Sequence, residues 1–136
     1  MHRSTKCLFA LLLTTLAAGL AHAQWTPSKS VRLIVPYSTG SGTDTLARSI
    51  AQKLTTTFGQ QVAVENIPGA NGILGADIVA KAAKDGHLLG MIAANHVVNP
   101  ALYSKVPYDT LRDFTPVTIA GAVPFVLVVH PSLPVK

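Results

Sequence analysis

Hydrophobic and polar positions along the chain form short strand-like runs that alternate with longer helical repeats. Residues 31–36 form an apolar run typical of a buried strand, and the run stops at its proline. From Asp44 onward apolar residues recur at helical spacing, with Asp44 or Thr43 predicted to cap the start and Gly59 to end the helix. The recurring positions are Leu46, Ala47, Ile50, Ala51 and Leu54.

The same order of strand, loop and helix then repeats. Residues 61–65 alternate as a second strand, residues 66–72 are rich in turn formers, and residues 73–83 predict a second helix that ends near Gly86. Residues 88–93 predict a third strand. Strands that alternate with helices of this length pair in parallel through right-handed crossovers. The sequence therefore predicts an α/β fold with a doubly wound, mostly parallel sheet.

The order of elements changes after the third predicted strand. Residues 95–100 are predicted as a loop, residues 101–103 as a short helical turn, and residues 105–113 as a polar, turn-forming stretch. Two more apolar runs follow at residues 115–122 and 125–130. No capping element follows them before Lys136, which is typical of a chain that is cut off.

The first 23 residues have the features of a secretory signal peptide. Arg3 and Lys6 precede an apolar stretch of about 14 residues, shorter than the ~20 that span a bilayer. Small residues then offer a cleavage site between Ala23 and Gln24. Cys7 opens the apolar stretch instead of following it, so we expect it to leave with the leader rather than carry a lipid. The mature protein is expected to be soluble in the periplasm.

Composition narrows the classes of partner. Removal of the 23-residue leader leaves 113 residues, which is enough for one modest domain. Because Arg3 and Lys6 are lost with the leader, the net charge falls from +5 to +3. No cysteine remains to form a disulfide. The basic residues are scattered and aromatic residues are few, which argues against nucleic-acid binding. The mild positive bias would suit anionic small molecules, although ordinary solubility charge is the favoured explanation.

The loop after the first strand combines glycines and hydroxyl groups at the start of a helix. Backbone N–H groups at a helix N-terminus favour an anion, and glycines let a ligand approach the backbone closely. This combination would suit a carboxylate, although a glycine-permitted turn that binds nothing remains the alternative. The candidate ligand-binding residues here are Tyr37, Ser38, Thr39, Gly40, Ser41, Gly42, Thr43 and Asp44.

Two further loops are predicted at the same edge of the sheet. The loop after the second strand contributes the candidates Ala70, Asn71, Gly72, Ile73 and Gly75. The loop after the third strand contributes Asn95 and His96, which offer an amide and an imidazole. Ligands of open α/β sheets bind at the edge where the strands end, so three convergent polar loops predict a binding cleft. Each asparagine could instead be a turn former, Asn71 and Asn99 especially.

An enzymatic alternative comes from a partial dinucleotide-binding pattern. Gly40 and Gly42 lie between a strand and a helix, and Glu65 ends the next strand. The third glycine position is Thr45, however, and Asp44 would face a pyrophosphate. A Rossmann-like oxidoreductase fragment is therefore kept only as an alternative.

Other catalytic or metal chemistry has less support. Ser38 and Ser41 lack the Gly-x-Ser-x-Gly elbow of hydrolases. His87, His96 and His130 are too far apart to form a metal-ligand spacing. The sequence predicts no metal and no cofactor.

Several ordered motifs resemble the Bug-type solute receptors of tripartite tricarboxylate transporters. The first are Arg32-Leu33-Ile34-Val35-Pro36, Gly42-Thr43-Asp44, Val64-Glu65-Asn66 and Pro68-Gly69-Ala70. Further segments follow in the same order across the mature chain, namely Ala80-Lys81-Ala82-Ala83, Asp85-Gly86, His96, Asn99-Pro100-Ala101-Leu102-Tyr103, Pro107-Tyr108-Asp109, Asp113-Phe114 and Pro131-Ser132-Leu133-Pro134.

This resemblance implies a non-catalytic receptor whose two α/β lobes close around a small carboxylate and deliver it to membrane permease subunits. We expect the receptor to be a monomer. Residues 37–43 and 70–75 would hold the ligand carboxylate, partly through ordered water, and Asp44 would organise the first loop. The family usually has a proline and a run of glycines where this chain has Ser38-Thr39-Gly40-Ser41.

The resemblance also sets the expected domain organisation. We expect a signal peptide at residues 1–23, a first ligand-binding lobe at residues 24–122, and the start of a crossover to a second lobe at residues 123–136. The second lobe of a type II periplasmic-binding-protein-like fold would then be missing. Half of the cleft would be absent, so the 136-residue chain is expected to bind carboxylates weakly or not at all.

Overall fold

The described residues form three parallel strands and three α-helices. The computed structural model describes residues 25–122, 128–130, 132 and 133, so the predicted signal peptide and most of residues 123–136 lie outside the described residues. The elements in chain order are β1 (Val31–Val35), α1 (Gly42–Phe58), β2 (Val62–Asn66), a 3₁₀ turn (Ala70–Gly72), α2 (Ile73–Ala80), β3 (Leu88–Gly90) and α3 (Asn95–Leu102).

The sheet has the strand order β2-β1-β3, and both pairings are parallel. Leu33 at the centre of β1 is in register with Val64 on one side and Leu89 on the other. The predicted parallel α/β sheet is therefore confirmed. β1 lies in the middle because every residue from Val31 to Val35 except Arg32 is buried, as its apolar run predicts.

The helices cover both faces of this sheet. Leu33 packs with Ala47 and Ala51 of α1 in the main hydrophobic core. Ile34 points to the opposite face, because successive side chains of a strand alternate. Its register partner Gly90 lies against α2, where an added Cβ would be 3.0 Å from Val79 Cγ2. Because α1 and α2 lie on opposite faces, the doubly wound arrangement is also confirmed.

The predicted cap of α1 is wrong, although its predicted end is right. Ser41 is the N-cap, and its Oγ accepts a 3.2 Å hydrogen bond from the Asp44 N–H. Thr43 and Asp44 lie inside the first turn of the helix. The Asp44 carboxylate does not cap this turn, because it is directed back to the Gly40 N–H of the preceding loop. Gly59 ends the helix in the left-handed conformation at φ 64°, which suits a residue without a Cβ.

Two elements stop earlier than predicted. α2 ends at Ala80 rather than residue 83, because the Ala82 N–H donates to the Val79 carbonyl and tightens the last turn. β3 ends at Gly90 rather than residue 93, because its partner β1 runs into Pro36, which has no N–H to continue the ladder.

The predicted loop at residues 95–100 is wrong, since α3 begins at Asn95 and continues through Pro100 to Leu102. Buried His96 and Asn99 anchor the helix, and these tertiary contacts outweigh the backbone hydrogen bond that Pro100 cannot make. The polar stretch at residues 105–113 contains a turn, as predicted, in which Asp109 Oδ1 accepts hydrogen bonds from the N–H groups of Leu111 and Arg112. Residues 115–122 have no regular structure, and residues 125–127 lie outside the described part.

Candidate functional site

The three polar loops leave the sheet at the same edge, as the sequence predicted. Val35 and Asn66, the last residues of β1 and β2, are register partners. The Ile67 N–H donates to the Val35 carbonyl at 2.9 Å, and the Met91 N–H donates to the Ile34 carbonyl at 2.9 Å. The carboxyl ends of the strands are therefore level, and the loops that follow them form one surface.

Asp44 holds the first of these loops in place. Its carboxylate is 2% exposed, and Oδ2 accepts from the Gly40 N–H at 2.8 Å and from Arg48 Nε at 3.1 Å. Oδ1 accepts from Asn66 Nδ2 at 2.9 Å. The hydrogen bond from Arg48, followed by those from the Gly40 N–H and Asn66, lowers the pKa of Asp44 to about 2. Asp44 is therefore ionised at neutral pH and bonded on both oxygens.

Asn66 joins the first loop to the end of β2. Its Nδ2 donates to the Tyr37 carbonyl at 3.1 Å as well as to Asp44. Its Oδ1 accepts from Arg48 Nη2 at 2.8 Å. Arg48 therefore contacts both side chains that fix the loop, and neither Arg48 nor Asn66 was among the predicted site residues. The spacing of Asp44 and Arg48, four residues apart on one helix face, was the available sequence signal.

The second loop has an unusual backbone. Ala70 at φ 46°, Asn71 at φ 53° and Gly72 at φ 87° are three consecutive residues with positive φ. This conformation is uncommon for residues with a side chain, and such residues cluster at functional sites. Asn71 therefore adopts a turn conformation, and its contact with a ligand stays a prediction.

Three asparagines tie this loop to α3. Asn95 Nδ2 donates to the Asn71 carbonyl at 2.6 Å, and Asn71 Nδ2 donates to Asn99 Oδ1 at 2.8 Å. Asn95 Oδ1 accepts a hydrogen bond from the Tyr37 hydroxyl, which itself accepts from the Ala93 N–H at 2.9 Å. Asn99 is buried within α3, so it is not the turn former that the sequence suggested. These side chains connect all three loops.

Backbone N–H groups remain available at this edge. In the first turn of α1 the N–H groups of Asp44 and Thr45 bond to Ser41, whereas those of Gly42 and Thr43 have no acceptor among the described residues. In the second loop the N–H groups of Ala70 and Asn71 also have no acceptor within the described part of the chain. Free backbone donors beside a helix N-terminus can bind an anion.

The predicted site residues divide by exposure. Those that reach solvent at the edge are Ser38, Thr39, Gly40, Gly42, Ala70 and Asn71. Those that are half-buried are Tyr37, Ser41, Thr43 and Asn95. Those that are buried are Asp44, Gly72, Ile73, Gly75 and His96. The side chains in the buried group therefore do not reach solvent at this edge.

The structure does not bring the His96 imidazole to the exposed edge. The ring stacks on Tyr108 with centroids 5.3 Å apart and meets Phe114 edge-on at 4.7 Å. Ile73 lies in the same cluster with Tyr108. Burial lowers the pKa of His96, which favours the neutral imidazole. The sequence predicts a loop at this position, whereas α3 begins at Asn95 and buries the His96 ring.

Two cavities lie away from this edge. One, of about 370 Å³, is bordered by the end of α2, by β3 and by residues 112–115 and 117. The other, of about 610 Å³, is an open depression between α1 and β2 that includes Arg48. Residues 25–122, 128–130, 132 and 133 contain no group of three metal-ligating side chains and no helix long and apolar enough to cross a membrane.

Known sequences provide independent evidence on the same chain. A family model described as the tripartite tricarboxylate transporter family receptor, TctC, matches residues 46–136. The chain is 41% identical over 120 residues to the UPF0065 protein in the tcbD-tcbE intergenic region of Pseudomonas sp. strain P51, covering 88% of this chain and 36% of that protein. It is 38% identical over 134 residues to protein BugT of Bordetella pertussis, and the match covers 95% of this chain and 41% of BugT. The chain thus spans about two fifths of the length of these relatives.

Solved structures share the fold. A periplasmic transporter superposes with a TM-score of 0.63 at 44% identity, over 68% of this chain and 31% of that one. MatC from Rhodopseudomonas palustris with bound malate superposes with a TM-score of 0.61 at 41% identity, over 66% of this chain and 31% of MatC. R. palustris Rpa4515 with adipate superposes with a TM-score of 0.56 at 34% identity, over 65% of this chain and 29% of Rpa4515. The likeness covers about a third of each of these proteins.

Proposed function

The chain belongs to the tripartite tricarboxylate transporter receptor family, and we propose from this premise that it forms the first lobe of an extracytoplasmic receptor for a small carboxylate. The observation that carries the proposal is the pair of free N–H groups on Gly42 and Thr43 at the start of α1, within the described residues. They lie at the sheet edge where the second loop also leaves N–H groups without acceptors among those residues. Nothing in the comparisons favours the oxidoreductase alternative.

Donors that are fixed before the ligand arrives favour binding. The first loop is held by Asp44 and Asn66, and the second by Asn95, so little conformational freedom is lost when an anion binds. Carboxylates accept strong hydrogen bonds from backbone N–H groups. Malate and adipate, the acids bound in two related structures, are therefore the first probes for this chain.

The complete receptor is part of the same proposal. A second lobe would close over the carboxylate, residues 24–122 would form the first lobe, and residues 123–136 would begin the crossover. The protein would act as a periplasmic monomer that delivers its ligand to permease subunits in the membrane. It would carry out no catalysis and use no cofactor or metal. N-terminal sequencing of the exported protein tests the leader, and the expected first residue is Gln24.

Binding is tested by calorimetry and thermal shift on the complete mature receptor, with both lobes present, and with malate, adipate and citrate as ligands. A binding acid at 100 times its Kd stabilises the fold by about 2.7 kcal/mol, which is easily seen. NAD⁺ serves as the comparison ligand, since the alternative function predicts that it binds instead. A response to NAD⁺ alone, or no response to any of the acids, would overturn the proposal.

Gly42 allows a sharper test of the donor itself. Proline is favoured at the first position of a helix and has no N–H, and Ser41 before it already has the extended conformation that proline requires, at φ −64° and ψ 160°. An added Cβ at Gly42 meets no atom within 4 Å. We therefore expect Gly42→Pro to fold but to bind carboxylates about tenfold more weakly.

Gly42→Ala is the matched control, because it adds the Cβ but keeps the N–H. We expect its affinity for the acids to remain close to that of the wild type. Equal losses in the two variants would assign the effect to bulk at residue 42 and would contradict the proposed donor.

A further inference from the structure

Arg48 contacts both groups that hold the first loop, although its own side chain is half-exposed. Nε donates to Asp44 Oδ2 at 3.1 Å, and Nη2 donates to Asn66 Oδ1 at 2.8 Å. One guanidinium thus spans the first turn of α1 and the end of β2. The planar fork of arginine can make two such bonds at fixed angles, which a lysine cannot.

The position of Asp44 poses an electrostatic problem for an anion site. Its buried carboxylate lies in the same helical turn whose N–H groups are free among the described residues. A negative charge there would repel a carboxylate ligand unless a positive charge compensates it. The contact with Arg48 provides that charge, and hydrogen bonds from Gly40 to Oδ2 and from Asn66 to Oδ1 engage both carboxylate oxygens.

The position of Asn66 poses a problem of orientation. An amide can be turned by about 180°, which exchanges its oxygen and nitrogen at little steric cost. The observed orientation directs Nδ2 to Asp44 Oδ1 and to the Tyr37 carbonyl, which are both acceptors. Arg48 favours it, because a donor at Nη2 requires an oxygen on the facing side of the amide. The reversed amide would place Oδ1 against those acceptors and break both bonds to the first loop.

We propose that Arg48 is a positioning residue for carboxylate binding, which compensates the charge of Asp44 and fixes the amide of Asn66 so that the first loop presents its N–H groups to the ligand. The proposal rests on the proposed function, since it assigns a role within that site. It requires no contact between Arg48 and the ligand. The role of a positioning residue predicts that loss of Arg48 changes the titration of Asp44 and the exchange of the Gly40 N–H even when no ligand is present.

The test compares three variants of the mature gene product. Arg48→Met removes the charge and the fork but keeps an unbranched apolar stem. Arg48→Lys keeps the charge and loses the fork. Arg32→Met is the matched control, because the Arg32 side chain is 48% exposed, close to the 50% of Arg48, and makes two 2.7 Å bonds to Glu65. Glu65 precedes Asn66 in β2, so its side chain lies on the opposite face of the strand from the Asn66 amide.

Three readouts separate positioning from general stability. Carboxyl ¹³C NMR follows the titration of Asp44, amide exchange follows the Gly40 N–H, and calorimetry with malate and adipate gives affinity. We expect Arg48→Met to shift the Asp44 titration to higher pH, to speed exchange at Gly40 and to weaken acid binding about tenfold. Arg48→Lys should recover part of the Asp44 titration, and Arg32→Met should leave all three unchanged.

Each outcome decides the proposal. Unchanged Asp44 titration and Gly40 exchange in Arg48→Met, or equal loss of affinity in Arg32→Met, would overturn it. If Arg48→Met does not fold, Arg48→Lys takes its place, and wild-type affinity and wild-type Gly40 exchange in that variant would contradict the role of the fork. If the wild type binds none of the acids, the proposed function fails, whereas the two NMR readouts still show whether Arg48 holds the loop.

Discussion

The Asn71 carbonyl accepts a 2.6 Å hydrogen bond from the side-chain amide of Asn95, which fastens the second loop to the start of α3. The opposite side of the same amide accepts a hydrogen bond from the Tyr37 hydroxyl of the first loop. One half-buried side chain therefore joins segments that are far apart in sequence. The relative position of the two candidate ligand-binding loops depends on this bridge.

Asn95→Ala removes the bridge and leaves the Tyr37 hydroxyl and the Asn71 carbonyl without this partner. We expect a loss of about 1–3 kcal/mol in the free energy of unfolding, because the variant loses the hydrogen bonds to the Asn71 carbonyl and from the Tyr37 hydroxyl, each with a net contribution of about 0.5–1.5 kcal/mol. Urea denaturation measures it. Val98→Ala is the control, since this exposed residue of the same helix should change stability by less than about 0.5 kcal/mol. Equal stability of the two variants would show that the bridge contributes nothing.

Gly75 and Pro36 provide a second test, because α2 approaches the end of β1 closely at this point. A Cβ on Gly75 would lie 2.7 Å from Pro36 Cβ and 3.1 Å from the Ile67 carbonyl oxygen. Backbone atoms cannot move aside cheaply, so Gly75→Ala should destabilise the protein by about 1–3 kcal/mol in thermal or urea unfolding. Gly42→Ala, with open space around the added methyl, is the control. A neutral Gly75→Ala would mean that α2 can shift away from the sheet.

Local chemistry made the central elements predictable. The apolar run of β1 and the left-handed cap at Gly59 follow from short-range pattern, and both are observed where the sequence placed them. The common edge of the loops followed from parallel pairing alone. These features depend on residues adjacent in sequence or on general rules of sheet topology.

Features that depend on distant partners were not predictable in the same way. α3 forms despite Pro100 because Asn99 and His96 are buried against other segments. Ser41, rather than Asp44, caps α1 because Asp44 is bonded to Gly40 and to Asn66 on β2. The role of Arg48 depends on Asn66, 18 residues away. A single sequence gives no direct sign of such contacts, and only the i, i+4 spacing of Asp44 and Arg48 pointed toward one of them.

The depressed pKa of Asp44 predicts a dependence of stability on acid. The carboxyl has a pKa of about 2 in the folded protein against an ordinary value of 3.8, chiefly because of the hydrogen bond from Arg48. The unfolded state therefore binds the proton more readily, and the stabilisation is present above pH 3.8 and lost as the pH falls toward 2. Asp44→Asn should be less stable than the wild type at neutral pH, and the difference should shrink through that window in urea unfolding. A difference independent of pH would contradict the assignment.

The buried imidazole of His96 predicts a second dependence on pH, in a higher window. Burial lowers its pKa below the ordinary value of 6.5, and Nε2 has no hydrogen-bond partner among the described residues. The unfolded chain therefore takes up a proton that the folded chain resists. The contribution of neutral His96 to the free energy of unfolding is therefore complete above pH 6.5. It declines as the pH falls below 6.5, until the pH reaches the pKa of His96 in the folded protein.

His96→Phe should remove this decline, because an apolar ring can occupy the same space between Tyr108 and Phe114 without a proton to gain. The difference in unfolding free energy between wild type and variant, measured by urea denaturation across about pH 5 to 8, isolates His96 from the histidines that both proteins share. We expect the wild type to lose stability relative to the variant as the pH falls. Parallel curves would show that His96 gains its proton equally well in the folded protein, and that α3 tolerates an imidazolium in its aromatic cluster.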